Sequence, residues 1–105
     1  MAERPRDETP EMRRLRKKID ALDRKIVGLL NERADLGREV GRAKFAAGRR
    51  AITDRERERE VLLRVSMANA GPLPQADLLA MYRRLIAATK ALDAQDRRGE
   101  ATDEQ

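Results

Sequence analysis

The sequence predicts an all-α fold of three helices, the first of them unusually long. Three observations carry that prediction. Charged residues make up 41% of the 105 and aromatic residues 2%, a composition that suits amphipathic helices and denies a β-sheet the aromatic and β-branched side chains it packs. Apolar residues recur at steps of three and four, first at Leu15, Ile19, Leu22, Ile26 and Leu29, which is the period of one helix face. Glycine and proline then break the chain near Gly48 and again in the segment NAGPLPQ, dividing it into three periodic stretches.

Residues 1–11 carry two prolines and mixed charge and are expected to form a flexible N-terminal arm. The first helix runs from about Met12 to about Ala47, where Gly48 is a natural stop. A short connection, Gly48 to Thr53, follows. Thr53 with Glu56 three residues later matches a capping box, so the second helix is expected to start there and to continue through Val61, Leu62 and Val65 to about Asn69. Pro72 and Pro74 in the next turn set up a third helix. That helix runs from about Gln75 to Ala94 and buries Leu78, Leu79, Tyr82, Leu85, Ile86, Thr89 and Leu92. The polar tail, residues 96–105, is expected to be disordered, which leaves a single domain over residues 12–95. A first helix of that length is a rod of about 50 Å, longer than a three-helix monomer can cover. Its apolar stripe therefore needs a partner along its whole length, and a second copy of the same helix, in an intertwined symmetric homodimer, supplies one.

Composition also narrows the chemistry. The chain has no cysteine and no histidine, which removes disulfides, thiolate catalysis, zinc–thiolate sites and the usual general base. No apolar run approaches the ~20 residues of a membrane span, and the N-terminus lacks the hydrophobic centre of a signal peptide; a cytoplasmic location is expected. The net charge of +5 implies attraction to anions. Nucleic acid is disfavoured, because acidic residues are interleaved with the basic ones and almost no aromatics are available for stacking.

The informative feature is charge on the wrong face. The apolar stripe of the first helix runs on to Arg33, Leu36, Val40 and Lys44. Arg33 and Lys44 are separated by close to three full turns, about 16 Å, so they point the same way. Gly37 and Gly41 lie between them. Two cations flanking a hollow describe an anion pocket; equally, the glycines could serve close helix packing while the long side chains reach water. Arg55 and Glu56 fall in the first turn of the second helix, where backbone N–H groups and the helix dipole favour an anion, although a capping box alone accounts for Glu56. Thr89 and Asp93 line up with Tyr82 and Ile86 on the inward face of the third helix. An inward Thr can bond the carbonyl four residues back. An inward Asp near a helix C-terminus opposes the dipole and is harder to dismiss.

These residues carry a resemblance. LRKKIDALDRKIVGLLNERADLGREVGRAK is similar to the first helix of AroQ-class chorismate mutases, and DREREREVL to the start of their second. NAGPLP and MYRRLIAATKALD resemble mutase domains fused to DAHP synthases. The resemblance covers residues 13 to 95. It implies an intertwined dimer of three-helix chains with active sites built from both subunits, rearranging chorismate to prephenate in phenylalanine and tyrosine biosynthesis. By the family pattern Arg33, Lys44, Arg55, Glu56, Thr89 and Asp93 line one site, and Arg16 enters it from the other subunit. Helix geometry agrees with that last assignment: Arg16 and Arg33 lie about 25 Å apart along one rod, too far for one small ligand. The reaction is a unimolecular Claisen rearrangement, which needs no nucleophile, general base, metal or cofactor. Arg16 and Arg33 would clamp carboxylates through their bidentate forks, with Arg55 in support. Lys44 would face the ether oxygen, Glu56 would accept a bond from the ring hydroxyl, and Thr89 would bond a substrate carboxylate.

Two departures stand out. The family usually has Gln or Glu where this chain has Asp93, and only a protonated Asp can donate to the ether oxygen. Activity is therefore expected either to rise toward acid pH or to run through a water relay at Asp93. The connection from Lys44 to Arg55 is about one residue shorter than in some members, which bears on backbone contacts to the ring hydroxyl from around Ile52. The rival readings are an isochorismate-pyruvate lyase of the same fold, against which Arg55 and Glu56 speak, an aminodeoxychorismate mutase, and a non-catalytic regulatory or binding subunit for a DAHP synthase.

Overall fold

The computed structural model describes residues 7–49 and 54–103. Among the described residues there are three helices and no strand: α1 (Pro10–Ala46), α2 (Arg55–Ala68) and α3 (Gln75–Asp103). The chain divides into two compact units, one ending at Arg33 and the other beginning at Ala34.

The first unit is the N-terminal part of α1. The helix begins two residues before the expected Met12 because Thr9 caps it: its hydroxyl accepts from the Met12 N–H at 3.1 Å and its carbonyl from the Arg13 N–H at 3.1 Å. Pro10 then occupies the first helical position, where its missing N–H costs nothing. Part of the expected arm is therefore helix. The apolar stripe lies open, with Leu15 at 45%, Ile26 at 51% and Leu29 at 64% exposure.

The second unit holds the end of α1 with α2 and α3. Helix α1 stops where expected, in a Schellman arrangement. Gly48 takes φ +80°, its N–H donates to the Phe45 carbonyl at 3.0 Å, and the Arg49 N–H reaches back to the Lys44 carbonyl at 2.9 Å. A side chain would be strained at that positive φ. The expected cap of α2 is corrected by one residue. Thr53 lies outside the described residues, and the capping oxygen belongs to Asp54, whose carboxylate accepts from the Arg57 N–H at 3.0 Å. The turn to α3 is built by Asn69, whose side-chain oxygen accepts from the Gly71 N–H at 3.0 Å while its amide donates to the Leu73 carbonyl and to Gln75. Helices α2 and α3 then pack together through half-buried Val61, Leu62 and Val65 on one side and Leu78, Leu79, Tyr82, Leu85 and Ile86 on the other. An ion pair between Glu58 and Lys90 ties them as well.

Helix α3 overrules the expectation of a disordered tail: it continues past Ala94 to Asp103. Tertiary and local pairs hold the polar extension. Arg38 of α1 grips Asp96 with two hydrogen bonds, Nε to Oδ2 at 2.8 Å and Nη2 to Oδ1 at 2.9 Å. Arg97 pairs with Asp93 one turn before it and with Glu100 one turn after, the spacing at which helix side chains meet. Such partners are invisible to a composition argument.

Candidate active site

The last turns of α1 meet α3 in a regular register. A Cβ built on Gly37 would lie 2.4 Å from Cγ2 of Thr89, and one on Gly41 would lie 1.9 Å from Oδ1 of Asp93. Phe45, the next residue at that spacing, carries the Arg97 guanidinium 5.0 Å from its ring centre. Residues 37, 41 and 45 thus face 89, 93 and 97, each series advancing by one helical turn. The hollow expected between Arg33 and Lys44 is not left open at the two glycines. Thr89 and Asp93 sit directly over them, so the two glycines serve the close approach of α3 to the end of α1.

Asp93 is 9% exposed. Because α3 runs ten residues further, Asp93 lies in mid-helix and opposes no C-terminal dipole, which corrects the expectation. What remains unusual is its partnering. Its Oδ1 is buried without a hydrogen bond among the described residues, and the Arg97 Nε stands 3.6 Å away, beyond hydrogen-bond range. Thr89 is half-buried and donates its hydroxyl to the Leu85 carbonyl at 3.0 Å, the local bond open to any inward threonine.

Lys44 follows Gly41 by three residues and is half-buried, with its Nζ 3.8 Å from Oδ2 of Asp54. That contact joins two charges without using one of the three ammonium N–H donors. It also brings the end of α1 to the start of α2, where Arg55 and Glu56 occupy the exposed first turn. The Asp54 carboxyl is held below the usual carboxylate range, chiefly by the Arg57 backbone N–H, against the opposing effect of burial, with the charges of Lys44, Arg49 and Arg57 assisting. Asp96 is likewise lowered by the Arg38 fork, and Arg38 is raised in return.

The second unit therefore places Thr89 and Asp93 over Gly37 and Gly41, and Lys44 beside the N-terminal turn that carries Arg55 and Glu56. Arg16 and Arg33 belong to the first unit. Arg16 is exposed and pairs with Glu8 at 3.2 Å, and Arg33 is half-buried. Ile52 lies outside the described residues. Sequence reasoning missed Asp54, whose signal was an N-cap residue type directly before Arg55. It also missed Arg97, whose signal was a 93–97–100 charge spacing that matters only if the helix continues. Among the described residues no group of acidic side chains could hold a metal ion, and no helix is long and apolar enough to cross a membrane.

Comparison with known proteins gives a consistent result. The sequence pattern of the family described as chorismate mutase type II matches residues 15–94. The bifunctional chorismate mutase/prephenate dehydratase of Aquifex aeolicus is 39% identical over 87 residues, covering 79% of this chain and 24% of that protein. The protein of the same name from Escherichia coli K12 is 49% identical over 73 residues, 69% of this chain and 19% of that one. The chain thus spans about a quarter or less of the length of these curated relatives. Among solved structures, chorismate mutase (form II) from Thermus thermophilus superposes with a TM-score of 0.76 at 31% identity, covering 80% of this chain and 94% of the other.

Proposed function

This chain belongs to the chorismate mutase type II family, and on that premise we propose that it rearranges chorismate to prephenate in a site completed by a second copy of itself. One observation supports the reading most strongly: Asp93, buried with an oxygen that lacks a hydrogen bond among the described residues, lies over Gly41, and three residues further along α1 the half-buried Lys44 ammonium stands at the start of α2, 3.8 Å from Asp54. The rearrangement is unimolecular. Catalysis reduces to folding a flexible dicarboxylate into a reactive chair and stabilising negative charge on the ether oxygen as its C–O bond lengthens. Lys44 is the compact cation that answers that charge. Arg33 clamps a substrate carboxylate in the bidentate manner open to guanidinium, with Arg55 in support and Thr89 turning its one hydroxyl proton from the Leu85 carbonyl to a substrate carboxylate. Glu56 accepts from the ring hydroxyl, the backbone near Ile52 adds a contact there, and Asp93 faces the ether side.

Arg16 completes the site from the partner copy. Support comes from the open stripe of Leu15, Ile19, Leu22, Ile26 and Leu29. Full burial of such a side chain stabilises by roughly 1.5–3 kcal/mol, and covering the half that is still exposed here by about half of that each, so the chain gains by pairing with its copy. The composition and the absence of a spanning helix among the described residues fit action in the cytoplasm. The likeness of NAGPLP and MYRRLIAATKALD to mutase domains fused to DAHP synthases makes such a synthase the partner enzyme to test by mixing.

The test is product identity. Chorismate, aminodeoxychorismate and isochorismate are each incubated with the wild type, Lys44→Ala and Arg33→Ala, with helicity followed by circular dichroism. Prephenate from the wild type and its loss in both folded variants is the expected result. Salicylate from isochorismate would make it the lyase, and two folded, fully active variants would overturn the site assignment.

A further inference from the structure

We propose that Arg97, which lies past the residues 15–94 that the family pattern matches, is the positioning residue of Asp93 and lets an acidic side chain serve at the ether side of the site. This inference rests on the function proposed above. Negative charge grows on the ether oxygen during the rearrangement, so a carboxylate alone beside it would oppose the reaction. Arg97 supplies the compensation. Its side chain is only 12% exposed, as is that of Asp93, so the pair is weakly screened by water.

The guanidinium is fixed from two other directions. The Phe45 ring lies under it at 5.0 Å, within cation–π range, and Glu100 holds Nη1. These contacts hold Nε 3.6 Å from Asp93 Oδ1, and that oxygen, Nε and Nη2 are the buried polar atoms of this cluster that lack hydrogen bonds among the described residues. Asp96, the other carboxylate close by, is hydrogen-bonded by the Arg38 fork, with Arg42 and Arg97 itself adding positive charge near it. Arg97 is thus the cation directed at Asp93. Gly41 sets the opposite wall, because any side chain there would displace the carboxylate. Asp93 is held between a glycine and a guanidinium that is itself anchored.

The experiment is a double-mutant cycle on the full chain, reading kcat and KM for chorismate. Arg97→Met keeps the length of the side chain and removes its charge. It is expected to lower kcat roughly tenfold with KM within about twofold, because positioning errors act on the chemical step. Arg97→Lys is expected to recover most of that loss. In an Asp93→Asn background, where there is no charge to compensate, Arg97→Met is expected to change kcat by less than about twofold. Phe45→Leu loosens the guanidinium and leaves both charges, and it is expected to show the same dependence on Asp93, so a poorly folding Arg97→Met would not end the test. Equal losses in both backgrounds, or no loss with Asp93 intact, overturn the assignment of Arg97. A wild type that makes no prephenate overturns the proposed function instead.

Discussion

Replacing Gly41 by alanine should disturb the site more than the fold. The new Cβ would stand 1.9 Å from Oδ1, 2.4 Å from Cγ and 2.7 Å from Oδ2 of Asp93. To reach the 3.0 Å that Cβ contacts respect, Oδ1 must retreat by about 1.1 Å. Asp93 is short and 9% exposed, so the retreat needs a new rotamer or a shift of α3, at a cost of about 1–3 kcal/mol typical of overpacking. Alanine returns up to about 1 kcal/mol of helix propensity. The net effect is a loss between about zero and 3 kcal/mol. A carboxylate displaced by about 1 Å, however, can cost up to ~10²-fold in rate. Gly99→Ala is the control, since nothing lies within 4 Å of its Cβ; it keeps the helix gain of up to about 1 kcal/mol. Urea unfolding followed by circular dichroism, at one fixed protomer concentration, together with prephenate formation, measures both quantities. If Gly41→Ala proves as stable as Gly99→Ala and turns over at the wild-type rate, Asp93 does not sit over Gly41 and the close packing is refuted.

Asp54→Ala should lower the melting temperature by removing the cap of α2, whereas Asp54→Asn, an equally good capping residue, should restore most of it; equal melting of all three proteins would dismiss the cap. The Asp96 carboxyl is depressed in the folded chain by the Arg38 fork, so its contribution is complete above the unfolded carboxyl value of about 3.9. It is lost as pH falls through the lower folded value, and the melting difference between wild type and Asp96→Asn should accordingly be largest near neutrality and vanish in acid. Ile26→Asp places a charge on the open stripe and should give a single-chain mass by light scattering with turnover abolished. An unchanged mass would show that the stripe is covered in some other way.

What was legible in the sequence was what depends on periodicity and local stops. The three helices, the Gly48 stop and the NAGPLP turn follow from spacing and from φ > 0 chemistry, and the structure has all of them. The inward face of α3 was legible too, because Leu78 through Leu92 repeat at helical steps. What escaped was set by partners distant in sequence. Arg38 lies far from Asp96 along the chain, and without knowing that they meet, DRRGE reads as a solvated tail. Thr9 escaped because two prolines dominated the reading of the arm, although a threonine directly before Pro10 is a helix start. The glycines were the instructive case. In the sequence Gly37 and Gly41 mean room on a charged face, but a sequence cannot say what fills room. Thr89 and Asp93 fill it, and both are polar.

The composite site can be tested by subunit complementation. Arg16→Ala and Lys44→Ala chains carrying different tags are expressed together, and the mixed dimer is isolated. If Arg16 serves the site of the partner copy, one site of that dimer carries both lesions and the other carries neither. Each parent should then be nearly inactive while the mixed dimer forms prephenate at about half the wild-type rate per dimer. A mixed dimer as inactive as its parents would mean that Arg16 and Lys44 serve one chain, and the shared site would have to be abandoned.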